Sequence, residues 1–85
     1  MDPKILAAYA GDYALGLQTM TVTSEGSRLF VKITGQPRFE LFAKSDTEFF
    51  LKVIDAQVTF DRDDSGKVTN LVLHQGGGHQ KAVKK

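Results

Sequence analysis

Two constellations in the sequence contain side chains that bind cations, and the first runs from Asp61 to Gly66. Asp61, Asp63, Ser65 and Gly66 match the first, third, fifth and sixth positions of a calcium loop, whose oxygen ligands suit a hard cation. The twelfth position is Val72, where such a loop needs a bidentate glutamate. Because the flanking residues indicate strands and not helices, we interpret this segment as a solvated hairpin.

The second constellation is His74 with His79, which are the only histidines in the chain. Imidazole is the commonest metal-binding side chain in proteins. A zinc site needs further ligands at suitable spacing, and none accompanies this pair. The intervening run from Gly76 to Gly78 is predicted to be a flexible connection, which would not hold metal geometry. The sequence therefore predicts no bound metal and no cofactor.

Acid–base catalysis requires at least one carboxylate that is buried and perturbed. Asp12, Glu40 and Asp55 are the acids embedded in apolar stretches, and each falls near a turn or on a polar strand face. Tyr9 and Tyr13 are interpreted as core aromatics whose hydroxyls reach backbone partners. We therefore predict no catalytic residues and no enzymatic activity.

Length and composition indicate one small domain over residues 1–85, because a chain of this size has room for a single core. There is no cysteine, which excludes disulfides and thiolate zinc sites. The 11 basic and 10 acidic residues nearly cancel, which argues against nucleic acid as a partner. No stretch approaches the run of about 20 apolar residues that crosses a bilayer, so no membrane span is predicted.

The elements that would position these residues are predicted to be strands almost throughout. Apolar and polar residues alternate with period two, and turn residues interrupt the pattern about every eight to twelve positions. A short helix is predicted over residues 3–9, with Pro3 in its first turn and Gly11 after its end. Strands are predicted at residues 12–15, 19–23, 28–34, 39–44, 48–53, 57–62, 67–74 and 80–83.

The connections between the predicted strands favour an antiparallel meander. Residues 24–27 and 63–66 place Gly26 and Gly66 where a tight hairpin needs positive φ. No connection is long enough to hold a crossover helix, which disfavours parallel pairing. We predict an all-β fold in which about eight strands close into a small barrel, with any edge left open available for pairing with a second copy.

One phenylalanine lies on the polar face of each of three successive strands. Leu29, Val31 and Ile33 form the core face of the strand at 28–34, and the opposite face carries a phenylalanine among charged residues. The next two strands repeat this pattern, so the predicted interaction residues are Phe30, Phe42 and Phe50. The alternative is that these rings are covered, by the barrel end or by an N-terminal helix that presents Ile5, Leu6 and Tyr9.

Several short motifs together resemble a known family. In chain order they are Leu6-Ala7-Ala8-Tyr9-Ala10-Gly11-Asp12-Tyr13, Arg28-Leu29-Phe30, Thr34-Gly35-Gln36-Pro37, Phe39-Glu40-Leu41-Phe42, Phe49-Phe50 and Leu71-Val72-Leu73-His74-Gln75. This set resembles the domain that is appended C-terminally to β-lactamase-like and penicillin-binding-protein-like serine hydrolases. The resemblance implies a lipocalin-like barrel that covers, positions or oligomerises a hydrolase domain without taking part in catalysis.

The chemistry of such hydrolases is absent from this sequence. No serine is followed three positions later by lysine, and Lys32-Ile33-Thr34-Gly35 has one residue too many for the Lys-Thr-Gly strand. The expected partners are therefore a β-lactamase-like hydrolase domain or further copies of the chain, and a secreted parent would place it in the periplasm or outside the cell. The alternative is that a hollow barrel binds a small apolar ligand.

Overall fold

The computed structural model describes residues 3–85, which form a closed antiparallel barrel of eight strands with one short helix at the N-terminal side. This architecture confirms the predicted fold class. The elements in chain order are α1 (Pro3–Tyr9), β1 (Gly11–Leu15), β2 (Gln18–Glu25), β3 (Arg28–Ile33), β4 (Phe39–Ala43), β5 (Glu48–Leu51), β6 (Ala56–Arg62), β7 (Val68–Gln75) and β8 (Gly78–Lys84).

The barrel closes because β1 pairs with β8 as well as with β2. At this seam Tyr13 lies opposite Lys84, and Ala14 lies opposite Val83. All the other strands pair with their neighbours in sequence. Each strand within residues 3–85 therefore has a paired neighbour on both sides, and the β1–β8 seam consists of two residue pairs.

Helix α1 packs into one end of the barrel. Its Tyr9 ring stacks on Phe60 with 4.2 Å between the ring centroids, and it meets Phe49 edge-on at 5.8 Å. Leu6, one turn earlier in the helix, is buried in the same apolar cluster. The helix therefore caps this end of the barrel: Leu6 and Tyr9 enter the core, and the other face of the helix is exposed.

The two core tyrosines satisfy their hydroxyls with backbone oxygens. The Tyr13 hydroxyl donates to the carbonyl oxygen of Tyr9 at 2.7 Å, and the Tyr9 hydroxyl donates to the carbonyl oxygen of Asp46. Burial raises the pKa of both hydroxyls, so they remain protonated donors at neutral pH. The prediction of core tyrosines with backbone partners is confirmed.

The hairpin connections alternate between the two ends of the barrel because every pair of neighbouring strands is antiparallel. The turns at 26–27, 44–47 and 63–67 share the end that α1 occupies, which we call the helix end. The turns at 16–17, 34–38, 52–55 and 76–77 lie at the opposite end, which we call the open end. The predicted strand at 48–53 stops at Leu51, because the chain turns there and leaves Val53 exposed.

The glycine run between β7 and β8 is a tight turn, which corrects the prediction of a flexible connection. Gly76 and Gly77 have φ of 58° and 82°, as the two central residues of a type I′ turn require. Gln75 and Gly78 are the paired residues that flank this turn. The third glycine therefore belongs to β8, and the register of the hairpin is set by a two-residue connection.

We expect Phe60→Ala to lower the free energy of unfolding by about 3–5 kcal/mol, because Phe60 contacts the rings of Tyr9, Tyr13 and Phe49 at once. Urea unfolding followed by circular dichroism measures this change. The control is Leu17→Ala in the β1–β2 turn, where the side chain is 106% exposed, with an expected change within about 0.5 kcal/mol. Equal effects from the two variants would contradict the central role of Phe60.

Candidate functional site

A row of opposed side chains crosses five strands on the outside of the barrel. Phe42 on β4 lies opposite Phe50 on β5, which lies opposite Gln57 on β6. Gln57 in turn lies opposite His74 on β7, and His74 lies opposite His79 on β8. We call these five residues the outer row. It joins two of the three predicted interaction residues to the two histidines on one continuous surface.

The Phe42 and Phe50 rings form a pair on the outer surface. Their centroids are 5.8 Å apart, with 36° between the ring planes, and both side chains are half-buried. The Nζ atom of Lys52 lies 4.1 Å from the centre of the Phe42 ring, in the range of a cation–π contact. The buried side chains of α1, Leu6 and Tyr9, belong to the core cluster on the other side of the sheet, so they do not cover this pair.

Phe30 differs from the other two predicted interaction residues because its ring is covered. The Phe30 side chain is 4% exposed, although it points away from the core cluster. The guanidinium of Arg38 lies 3.9 Å from the ring centre, and that of Arg28 lies 5.0 Å from it. Phe30 thus supports two cations at the surface and offers little ring area of its own to a partner.

Two acids hold these guanidinium groups in place. Glu40 accepts hydrogen bonds from both Nε and Nη2 of Arg28, at 3.1 and 2.7 Å, and Glu25 pairs with Arg38. The hydrogen bonds from Arg28, with its positive charge, hold the pKa of Glu40 below its usual value of 4.5. Glu40 therefore lies on a polar strand face, as predicted, and this face is an ordered set of ion pairs. In the sequence, the charged Arg28 two positions before Phe30 indicates this face.

The two histidines are closer than the sequence alone indicated. The Nδ1 atoms of His74 and His79 lie 2.6 Å apart, and the Nε2 atom of His74 lies 3.2 Å from the Oγ1 atom of Thr59. An open groove of about 470 Å³ adjoins the pair, and its lining includes Glu48 and Asp55. A two-residue turn at Gly76 and Gly77 pairs Gln75 with Gly78 and, one step further out, His74 with His79. Recognising that turn in the sequence would have predicted this pairing.

The segment that matches the start of a calcium loop forms a hairpin turn. Asp63 accepts hydrogen bonds from the backbone N–H groups of Ser65 and Lys67 at 2.9 and 3.0 Å, and from the Ser65 hydroxyl at 2.6 Å. These bonds lower the pKa of Asp63. Asp61 instead accepts from the Asn70 amide at 2.7 Å. Across residues 3–85, no group of three or more His, Cys, Asp or Glu side chains converges as a metal cage would require.

The interior of the barrel leaves a small cavity at the open end. Its volume is about 100 Å³, and apolar side chains such as Met20, Val31 and Leu51 line it. Ile54, which is 40% exposed, stands at its edge. The helix end is filled by Leu6 and Tyr9, so the free space is confined to one mouth of the barrel.

The chain is similar to known proteins over nearly its whole length. The family model described as Domain of unknown function (DUF3471) matches residues 1–84. The chain belongs to this family. It is also 37% identical over 86 residues to penicillin-binding protein 4* of Bacillus subtilis (strain 168), an alignment that covers 99% of this chain and 19% of that protein. No solved structure matches the chain.

The DUF3471 domain spans about one fifth of the length of this curated relative. The similarity to part of a penicillin-binding protein agrees with the resemblance to a domain appended to β-lactamase-like hydrolases. Within residues 3–85, the DUF3471 domain contains no helix with the length and apolar character needed to cross a bilayer.

We expect Glu40→Gln to destabilise the DUF3471 domain at neutral pH and to do so less as the pH falls below about 4.5. The folded-state pKa of Glu40 is lowered, so its contribution is present above the unfolded pKa and is lost as the pH falls through the folded pKa. Thermal unfolding of wild type and variant between pH 7 and pH 3 measures this difference.

The matched variant for this prediction is Arg28→Gln, which removes the other partner of the ion pair. It should reproduce the pH dependence of Glu40→Gln, and the double variant should add little to either single variant. A wild-type advantage that stayed constant down to pH 3 would contradict the assignment of this stability to the ion pair.

Proposed function

We propose that this domain is a non-catalytic accessory module that docks on a β-lactamase-like hydrolase domain through the surface around Phe42 and Phe50. The observation that carries the proposal is the ring pair itself, which lies half-buried on the outside of a barrel whose interior is already packed. Paired aromatic rings at a surface bury a large area at low entropic cost when a partner covers them.

A hydrolase domain is the favoured partner for the ring pair because the similar segment is only a small part of the relative. Penicillin-binding protein 4* matches this chain over 19% of its length, so most of that protein lies outside the similar segment. Domains in one chain are held at high effective concentration, and they commonly share interfaces of about 600–1,500 Å². A modest aromatic patch is therefore sufficient for docking inside one polypeptide.

The charges around the ring pair indicate what the partner surface should look like. Lys52 lies over Phe42, and the guanidinium groups of Arg28 and Arg38 cover Phe30 on the same side of the barrel. Carboxylates already pair with both guanidinium groups, so the charge of Lys52 is the one that favours an acidic residue beside the apolar centre of a partner surface. This complementarity would orient the domain as well as attract it.

The absence of catalytic motifs from the sequence supports an accessory role. The chain lacks the Ser-x-x-Lys pair and the Lys-Thr-Gly motif of serine hydrolases with this type of chemistry. The buried tyrosine hydroxyls of Tyr9 and Tyr13 are engaged with backbone carbonyl oxygens. Both features favour a domain that acts through its surface.

The carrier alternative has one supporting observation, which is the apolar cavity at the open end. Its volume of about 100 Å³ is smaller than the roughly 300–1,000 Å³ of pockets that hold drug-sized ligands. The lipocalin-like analogy would therefore extend only to a ligand of a few heavy atoms. For this reason we rank docking ahead of ligand transport.

The docking role is tested in full-length penicillin-binding protein 4* after its similar segment has been replaced by this domain. Hydroxyl-radical footprinting should show several-fold slower labelling of Phe42 and Phe50 in the chimera than in the isolated domain. Leu17 at the open end, which is fully exposed, should be labelled at the same rate in both proteins. Equal labelling of the ring pair in the two proteins would contradict the docking surface.

A pair of matched variants separates docking from folding. Phe42→Glu in the chimera should release the domain and increase the radius of gyration measured by small-angle X-ray scattering, because a charge is placed at the centre of the interface. Leu17→Glu introduces the same charge at an exposed turn and should leave the radius unchanged. If the isolated domain instead dimerises and protects Phe42, a second copy is the occupant and the hydrolase assignment is wrong.

A further inference from the structure

The hairpin formed by β7 and β8 presents its two imidazoles from a well-defined backbone. His74 and His79 are directly paired, one step away from the Gln75 and Gly78 pair that flanks the turn. The positive φ of both central glycines matches the turn type whose twist suits a two-residue hairpin. Because the turn fixes the register, both imidazoles point to the same side of the sheet.

The ring nitrogens face each other. The Nδ1 atoms are 2.6 Å apart and share a hydrogen bond, in which one imidazole carries its proton on Nδ1, and the rings are inclined at 80° with 4.7 Å between their centroids. A metal ion would take the place of that proton. Two nitrogens bound at about 2.0–2.1 Å to a tetrahedral zinc ion are roughly 3.3 Å apart. The observed gap is about 0.7 Å shorter than this separation, so metal binding requires the two nitrogens to move apart by that amount.

Thr59 supplies a contact of the kind that orients metal-binding histidines. Its Oγ1 atom lies 3.2 Å from Nε2 of His74, the nitrogen that faces away from the other imidazole. When His74 carries its proton on Nε2, the Thr59 hydroxyl accepts that proton in a hydrogen bond, and the Nδ1 lone pair is free. His79 needs its proton on Nε2 as well, and this side chain is exposed, so water can accept that hydrogen bond.

From this geometry we propose that His74 and His79 form a binding site for a divalent transition-metal ion of the zinc, nickel and copper class. The site lies beside the open groove of about 470 Å³, which leaves space for water or a further ligand at the remaining coordination positions. Two neutral nitrogen ligands favour these borderline metals over calcium or magnesium, which prefer oxygen. Copper(II) should bind most tightly.

This inference is independent of the docking role, since it uses the opposite end of the outer row from Phe42 and Phe50. It also gives a sharp test, because the chain has only two histidines and no cysteine. Any imidazole nitrogen bound to a metal ion must therefore come from His74 or His79. The spectrum of bound copper(II) can count those nitrogens directly.

The experiment titrates the whole chain with copper(II) alone and records electron paramagnetic resonance spectra, with zinc(II) affinity measured in parallel by calorimetry. The wild type should bind one ion per chain and show hyperfine coupling to two imidazole nitrogens. His74→Gln and His79→Gln should each show one imidazole nitrogen and bind zinc(II) about ten-fold more weakly or worse. Wild type and variants all keep the terminal amine, which is another nitrogen that can bind copper(II). A difference between their spectra therefore comes from the substituted imidazole.

Thr59→Val is the positioning control, because it removes the hydroxyl beside His74 and keeps the shape of the side chain. It should keep both nitrogen couplings. It should weaken zinc(II) binding by about three-fold to ten-fold, up to the lower end of what loss of such a hydrogen-bond partner typically costs. Unchanged zinc(II) affinity in both histidine variants would overturn the site. Native mass spectrometry that found one ion shared by two chains would overturn the intramolecular pairing.

Discussion

The stacking of Tyr9 on Phe60 is the contact on which the rest of this structure depends. It fixes helix α1 across one end of the barrel, where Leu6 and Phe49 complete the packing. A barrel of eight short strands has an interior that side chains can fill, and here the helix supplies part of that filling. A small apolar cavity lies at the open end.

Closure of the barrel has a second consequence, which concerns the proposed docking. The β1–β8 pairing joins the first and last strands, so the proposed docking would use side chains that stand on the outside of the sheet. There Phe42 and Phe50 remain half-buried as a pair, while Arg28 and Arg38 cover Phe30. The same face therefore combines an aromatic patch with cations that two carboxylates hold in fixed positions.

The far end of the outer row shows how one turn changes the chemistry of a surface. Gly76 and Gly77 set a two-residue connection, and this register puts His74 opposite His79 with their nitrogens 2.6 Å apart. A connection one residue longer would move one imidazole to the other face of the sheet. The convergence of the histidines is thus a property of the turn and not of their separation in sequence.

The sequence by itself determined the all-β class, the helix at 3–9 and which face of β3, β4 and β5 carries the core side chains, since these depend on local periodicity and turn residues. It also placed the two tyrosines in the core with backbone partners. Only the tertiary structure decided that Phe30 is covered, that Leu6 and Tyr9 of α1 fill one end of the barrel and that the histidines meet. Those outcomes depend on strand register and on side chains brought together from distant positions, which a period-two pattern does not encode.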